Sequence, residues 1–267
     1  MLKQSIGVIL PKPNKNDYTQ CASFRVIALM QTFLKIAERV VNNRLMDIVY
    51  KEGLYCINQM GSLPHRSTIN AAVSLQHWIK DAQFAKRKVS SLFLDVKGGF
   101  DNVNHQKLIS LLSESGNVPE YLTDWIQNFV ASWEIALTYP GSPRRKHEMN
   151  KGIPQGSLLS PILFIIYVKK LHSVVNTNEF FTTSYVDDFQ LTVTSNSWER
   201  NARKLEEKAA EVVALAQPMG LSFSIAKTEL MHWRTRREEG PRSDSAVTIQ
   251  KQTYNQRAGW SGGLATG

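Results

Sequence analysis

Two adjacent acids, Asp187 and Asp188, interrupt a β-prone run: Phe180 to Val186 lies before them and Phe189 to Val193 after. Phe, Tyr, Val and Thr favour extended backbone, so the pattern predicts two short strands with the acids at the turn of a hairpin. Side-by-side carboxylates repel, which is costly unless a cation offsets it. A second apolar strand, Ser91-Leu92-Phe93-Leu94-Asp95-Val96, ends on Asp95. Strand-end acids from two distant segments can jointly hold hard divalent cations. A solvated acidic turn would show the same local spacing, so the rest of the chain has to separate the two readings.

At 267 residues the chain can bury a core as one large domain or two lobes. Its net charge of +9 favours an anionic partner, and the charge is uneven. Residues 1–90 hold 13 Lys and Arg against 5 Asp and Glu, a net of +8, which leaves +1 for the remainder. A basic N-terminal lobe before a near-neutral, acid-bearing centre suits a protein that grips phosphates with one part and metal with another. A generically basic surface is the plainer alternative. Cys21 and Cys56 are too few for a disulfide scaffold, and the six histidines show no metal-ligand spacing. An intracellular setting is expected, nucleus or cytoplasm, with an organelle also compatible. The best apolar run, Ile162 to Val168, stops at Lys169-Lys170, so no membrane partner is expected. Oligomeric state is left open.

Periodicity predicts a mixed order of helices and strands. Ile6 to Leu10 reads as a strand stopped by Pro11 and Pro13. Thr32 to Tyr50 carries a helical stripe of Phe33, Leu34, Ile36, Ala37, Val40, Val41, Leu45 and Ile48. Ser67 or Thr68 caps a helix to about Lys88, and further helices are expected at about 104–115, from Pro119, at 158–171, and from a Ser197 cap to about Ala216. Trp133 to Tyr139 and its return from Arg144 read as strands, and Leu221 to Trp233 as a strand pair. Beyond Arg234 the chain turns polar and Gly-rich, and residues 234–267 are expected to form a disordered tail.

Five blocks in order carry a resemblance. They are Leu10-Pro11-Lys12-Pro13 with Phe24 to Leu29; Phe93 to Val103; Gly152 to Pro161; Tyr185-Val186-Asp187-Asp188; and Leu221 to Glu229. The chain resembles the reverse transcriptase domain of a LINE-type (non-LTR) retrotransposon over about residues 6–233. A telomerase or an intron-encoded maturase fits the block around Phe100-Asp101-Asn102-Val103 less well. The resemblance implies an α+β fold of right-hand polymerase type. Residues 1–89 would be mostly helical fingers, and 90–233 a palm whose antiparallel sheet, with packed helices, sets Asp95 beside the Asp187-Asp188 hairpin. A thumb is expected to be absent and duplex to be gripped weakly, as in a fragment or degenerate copy of an element.

The implied activity is RNA-directed DNA polymerisation by two-metal nucleotidyl transfer to a primer 3′-hydroxyl, with an RNA template, a DNA primer and deoxynucleoside triphosphates as partners. The other reading is a silent relic that only binds nucleic acid. Two Mg²⁺ ions, replaceable by Mn²⁺, would be held by Asp95, Asp187 and Asp188 with the backbone carbonyl of Val96. Lys227 would approach the pyrophosphate and donate a proton. Phe100 would exclude a ribose 2′-hydroxyl, Gln155 and Gly156 would contact base or sugar, and Arg25 and Lys35 would hold the triphosphate. Arg25 precedes Val26 where many such polymerases have proline, and Lys12 reads equally as a phosphate contact or a solvated loop lysine. A core Phe100, a solvated Lys35 and a surface Lys227 are the bland counterparts. Asp101 reads as a cap at a helix start rather than a fourth ligand.

Overall fold

The computed structural model describes residues 4–131, 133–138, 144–173, 179–235, 246–249 and 252–254. In chain order these form β1 (Gln4–Pro11), β2 (Phe24–Leu29), α1 (Thr32–Lys51), α2 (Thr68–Phe84), β3 (Lys88–Asp95), α3 (His105–Glu114), α4 (Glu120–Val130), β4 (Trp133–Thr138) and β5 (Arg145–Met149). There follow α5 (Ser160–Ser173), β6 (Phe180–Tyr185), β7 (Asp188–Ser195), α6 (Trp198–Ala216), β8 (Glu229–Trp233), β9 (Val247–Ile249) and β10 (Gln252–Tyr254). No helix is long and apolar enough to cross a membrane among the described residues.

The chain divides into two compact units, residues 1–55 with 98–167 and residues 56–97 with 168–267. Each unit is therefore built from two chain segments, which differs from the single division at residue 89 expected from the sequence.

In the first unit β1 pairs antiparallel with β2 and parallel with β4, and β4 pairs antiparallel with β5. The parallel β1–β4 pair joins segments more than a hundred residues apart, Gln4 opposite Glu134. Helix α1 corrects the expected stripe. It buries Leu34, Glu38, Val41, Leu45 and Val49, while Phe33, Ile36 and Val40 stay exposed. The buried positions recur at i, i+4, i+7, i+11 and i+15, a seam too narrow to take every apolar residue of the helix. One of the five is an acid.

In the second unit the sheet order is β6-β7-β3-β8, antiparallel throughout. Side chains alternate across a strand, and each face has its own helix. On one face Leu75, Ile79 and Ala82 of α2 pack with Val89 and Trp233, flanked by Trp78, Phe93, Phe181 and Met231. On the other, Asn201 of α6 donates to Ser90 Oγ (3.0 Å), and Trp198 meets the His232 ring edge to face at 5.2 Å. Ser67 caps α2 and Ser197 caps α6, each accepting from the backbone N–H three residues on. Helix α2 stops at Phe84, short of the expected end at Lys88, because β3 already begins there.

Two expectations near the C-terminus change. Leu221 to Trp233 makes one strand, β8, preceded by an isolated bridge from Phe223 to Val96 and a 3₁₀ turn over Ile225–Lys227. Within the segment expected as a tail, β9 and β10 pair antiparallel. Val247, Ile249 and Tyr254 are buried there, and Tyr254 donates to Ile225 O (3.1 Å), so alternate apolar residues give this stretch a surface to pack on. Residues 236–245, 250–251 and 255–267 of that tail lie outside the described residues, as do 139–143 between β4 and β5.

Candidate active site

The second unit brings Asp95, Val96, Asp187, Asp188 and Lys227 together. Asp95 ends β3 and Asp188 begins β7, and the register sets them directly opposite each other. Cross-strand partners hold their Cβ atoms about 4.5–5.5 Å apart on one face. Asp187 lies in the two-residue turn between Tyr185 and Asp188, which are themselves paired. Its carbonyl accepts from the N–H of Val96 at 3.0 Å, tying the turn to the end of β3. The carbonyl of Asp95 accepts from Ser224 N–H at 2.8 Å, which ties the same strand end to the loop before Lys227.

Lys227 stands on a 3₁₀ turn rather than a strand start, with Nζ 2.8 Å from Asp95 Oδ1. Burial raises the Asp188 carboxyl above its ordinary value, the charges of Asp187 and Asp95 raise it further, and Lys227 works against them. A cleft of about 600 Å³ opens on this face, lined by Phe93, Asp95, Thr183, Asp188 and Lys227 among others. Among the described residues, no three His, Cys, Asp or Glu side chains converge closely enough to make a finished metal cage. The crowded carboxylates nevertheless suit a cation that brings oxygen ligands of its own, since Mg²⁺ is commonly held by one or two carboxylates plus substrate phosphates.

The turn is strained. Val186 has φ +59°, a left-handed conformation that a β-branched side chain rarely adopts and that costs about 1–3 kcal/mol. His172 of α5 lies on the opposite face of β6, fully buried, with Nε2 2.9 Å from Ser184 Oγ and its ring against Phe189. With little water around it, its basicity falls to a pKa of about 3, so the ring is neutral.

The first unit holds Arg25, Lys35, Phe100, Gln155 and Gly156. Gln155 and Gly156 lie in a loop fixed at many points. Ile153 N–H donates to Phe100 O (2.8 Å), Ala28 N–H to Gln155 O (2.7 Å), and Ser160 Oγ to Pro154 O (2.7 Å). Gly156 is required: φ is +115°, and a Cβ would stand 2.6 Å from Ala28 O. Gln155 Nε2 donates to Asp101 Oδ1 (3.0 Å), so Asp101 holds the loop, while the helix cap is Asn104, which accepts from Lys107 N–H. Phe100 is half-buried with its ring 5.0 Å from that of Phe164. Arg25 and Lys35 are exposed, on β2 and the first turn of α1. Lys12 is spent on Ala22 O at 2.9 Å.

Sequence reasoning passed over Glu38, which is 0 % exposed. Its Oε2 accepts from Ser157 Oγ (3.0 Å) and Leu158 N–H (2.8 Å), anchoring the far end of the same loop, and burial raises its carboxyl. No local signal marked it, because the buried seam of α1 is set by packing.

Comparison with known proteins identifies the family and the fold. Residues 10–255 match the family model for reverse transcriptase (RNA-dependent DNA polymerase). A probable RNA-directed DNA polymerase from transposon BS of Drosophila melanogaster is 26 % identical over 85 % of this chain and 25 % of its own length. A putative 115 kDa protein of the type-1 retrotransposable element R1DM, from the same fly, is 29 % identical over 84 % of this chain and 21 % of its own. The chain thus spans about a quarter of these relatives. Among solved structures, telomerase from Candida tropicalis bound to the TWJ fragment of telomeric RNA superposes with a TM-score of 0.65. It shares 13 % identity, covering 87 % of this chain and 41 % of that one, a likeness of fold.

Proposed function

The chain belongs to the reverse transcriptase family, and we propose that it catalyses RNA-directed DNA synthesis, adding deoxynucleotides to a primer 3′-hydroxyl on an RNA template. The observation that carries this is the register pairing of Asp95 with Asp188, with Asp187 in the adjoining turn and Lys227 on Asp95. Two Mg²⁺ ions, or Mn²⁺ in their place, would be held by Asp95, Asp187, Asp188 and the Val96 carbonyl, and would supply activation of the hydroxyl and charge for the leaving pyrophosphate.

The protein groups do the rest. The Val96–Asp187 hydrogen bond holds the turn acid against the strand end, so the carboxylates need not reorganise when substrate arrives. Lys227 balances Asp95 from a side chain 61 % exposed, free enough to swing to the leaving group and give it a proton. The proposed nucleotide contacts are Arg25 and Lys35 to triphosphate, Phe100 against the sugar, and Gln155 and Gly156 at base or sugar; each keeps exposed or half-buried surface. Gln155 would exchange its bond to Asp101 for one to substrate.

Primer extension on poly(rA)/oligo(dT) with Mg²⁺ tests this. Asp187→Asn should lower extension by more than about a hundredfold, because loss of a ligand exceeds the 10–100-fold effect typical of groups that merely orient ligands. Its fold should survive, since one of the charges crowding Asp188 is gone. Equal activity of variant and parent would remove Asp187 from the chemistry.

A further inference from the structure

The turn that carries Asp187 is braced from outside by a segment without regular structure. Residues 56–66 run along the open edge of β6. Met60 N–H donates to Ser184 O (2.8 Å), Ser184 N–H to Asn58 O (3.1 Å), and Thr183 Oγ1 to the same Asn58 carbonyl (2.9 Å). The segment is folded onto itself by Arg66, whose guanidinium donates to Ile57 O and to Gln59 O, and by Cys56 N–H on Gln59 Oε1. Its tip is Gly61. A Cβ there would stand 2.5 Å from Val186 Cγ2 and 2.7 Å from Val186 N, closer than real Cβ atoms come. Gly61 therefore presses backbone against the one turn residue held at positive φ beside the acid pair.

We propose that this strap is the positioning element of the Asp187–Asp188 turn, with Gly61 as its contact and Arg66 as its clasp. Left alone, a turn with a β-branched residue at φ +59° would relax toward negative φ and carry Asp187 off the Val96 N–H. The strap occupies the space into which Val186 would relax, and its ladder to Ser184 fixes the height at which it does so. Gly61 and Arg66 are positioning residues and touch no reacting atom.

The Val96 amide reports on this directly, because its acceptor is the Asp187 carbonyl, while the nearby Ser224 amide bonds to Asp95 O and serves as a control. Hydrogen exchange by NMR on the full chain should show Val96 exchanging at least tenfold faster in Gly61→Ala, with Ser224 unchanged. Arg66→Lys, which loosens the clasp and adds nothing at the turn, should move Val96 the same way by a smaller factor, and decides the matter if the alanine variant does not fold. Only the second readout rests on the metal reading of the acids: Mn²⁺ affinity by EPR should fall at least tenfold in Gly61→Ala. If the parent binds no Mn²⁺ but Val96 responds, the metal reading fails and the brace stands. Unchanged Val96 protection in the folded variants, or equal loss at Val96 and Ser224, overturns the proposal.

Discussion

Lys227 Nζ lies 2.8 Å from Asp95 Oδ1, so the chain itself supplies one positive charge to a cluster of three acids. The pair is a stand-in of limited strength, because the lysine is largely solvated and screened by water.

The charge balance makes one titration informative. Lys227 lowers the Asp188 carboxyl, which burial, Asp187 and Asp95 raise. In Lys227→Met the opposing charge is gone, so Asp188 should titrate at still higher pH in protein stripped with EDTA, read by carboxyl ¹³C NMR. A midpoint that stays or falls would show that Lys227 does not act on Asp188.

Glu38 gives a stability prediction with two signs. Its folded carboxyl is raised above 4.5, so the folded chain binds the proton more tightly than the unfolded chain does. Its stabilising contribution is present at low pH and diminishes as pH rises through that window. Glu38→Gln should abolish this slope, since its carbonyl still accepts from Ser157 and Leu158. Glu38→Ala should cost about 2–4 kcal/mol by leaving two buried donors and a void. Urea melts at pH 5 and 7 would show both effects.

His172 has the opposite dependence. Its folded pKa is about 3 against an ordinary 6.5, so between those values the unfolded chain takes a proton that the folded chain refuses. Stability is full above about pH 6.5 and falls with acid, by up to roughly tenfold in the folding equilibrium per pH unit. His172→Gln should flatten this limb; an identical limb in the variant would assign it to other groups.

The basic N-terminal stretch should bind nucleic acid whether or not extension is seen. With a net +8 in residues 1–90, labelled primer-template should bind with little sequence preference. A footprint of about 4–6 phosphates predicts a log–log salt slope near −3 to −5. No binding at low salt by a protein folded by circular dichroism would show that this charge does not face a phosphate backbone.

The acid-bearing hairpin, the strand ending on Asp95 and the Ser67 and Ser197 caps were legible because each is written in neighbouring residues. What was hidden depends on distant partners. Nothing local marks β1 as the parallel neighbour of β4, and without that pairing the two-segment units cannot be drawn. Phe33, Ile36 and Val40 satisfy helical periodicity as well as Leu34 and Val41 do, and only packing shows which side is covered. Glu38 looked like an ordinary charged position until the loop at Ser157 arrived to use it. Gly61 carried no signal either, since its necessity comes from Val186, far along the chain.

The pairing of Asp95 with Asp188 also sets what kind of sequence change this sheet can survive. Because side chains alternate, sliding β7 by one residue along β3 would keep a hydrogen-bonded ladder while turning Asp188 to the face where His172 meets Phe189, and a phenylalanine into the cleft. Ser91 bonded to Thr192 at 2.6 Å, with Trp233 Nε1 on the same hydroxyl at 2.7 Å, latches the strands at mid-ladder. A single-residue deletion between Asp188 and Thr192 is thus an inversion rather than a shortening, and a chain carrying one would keep the ladder of the sheet with its strand-end acids on opposite faces.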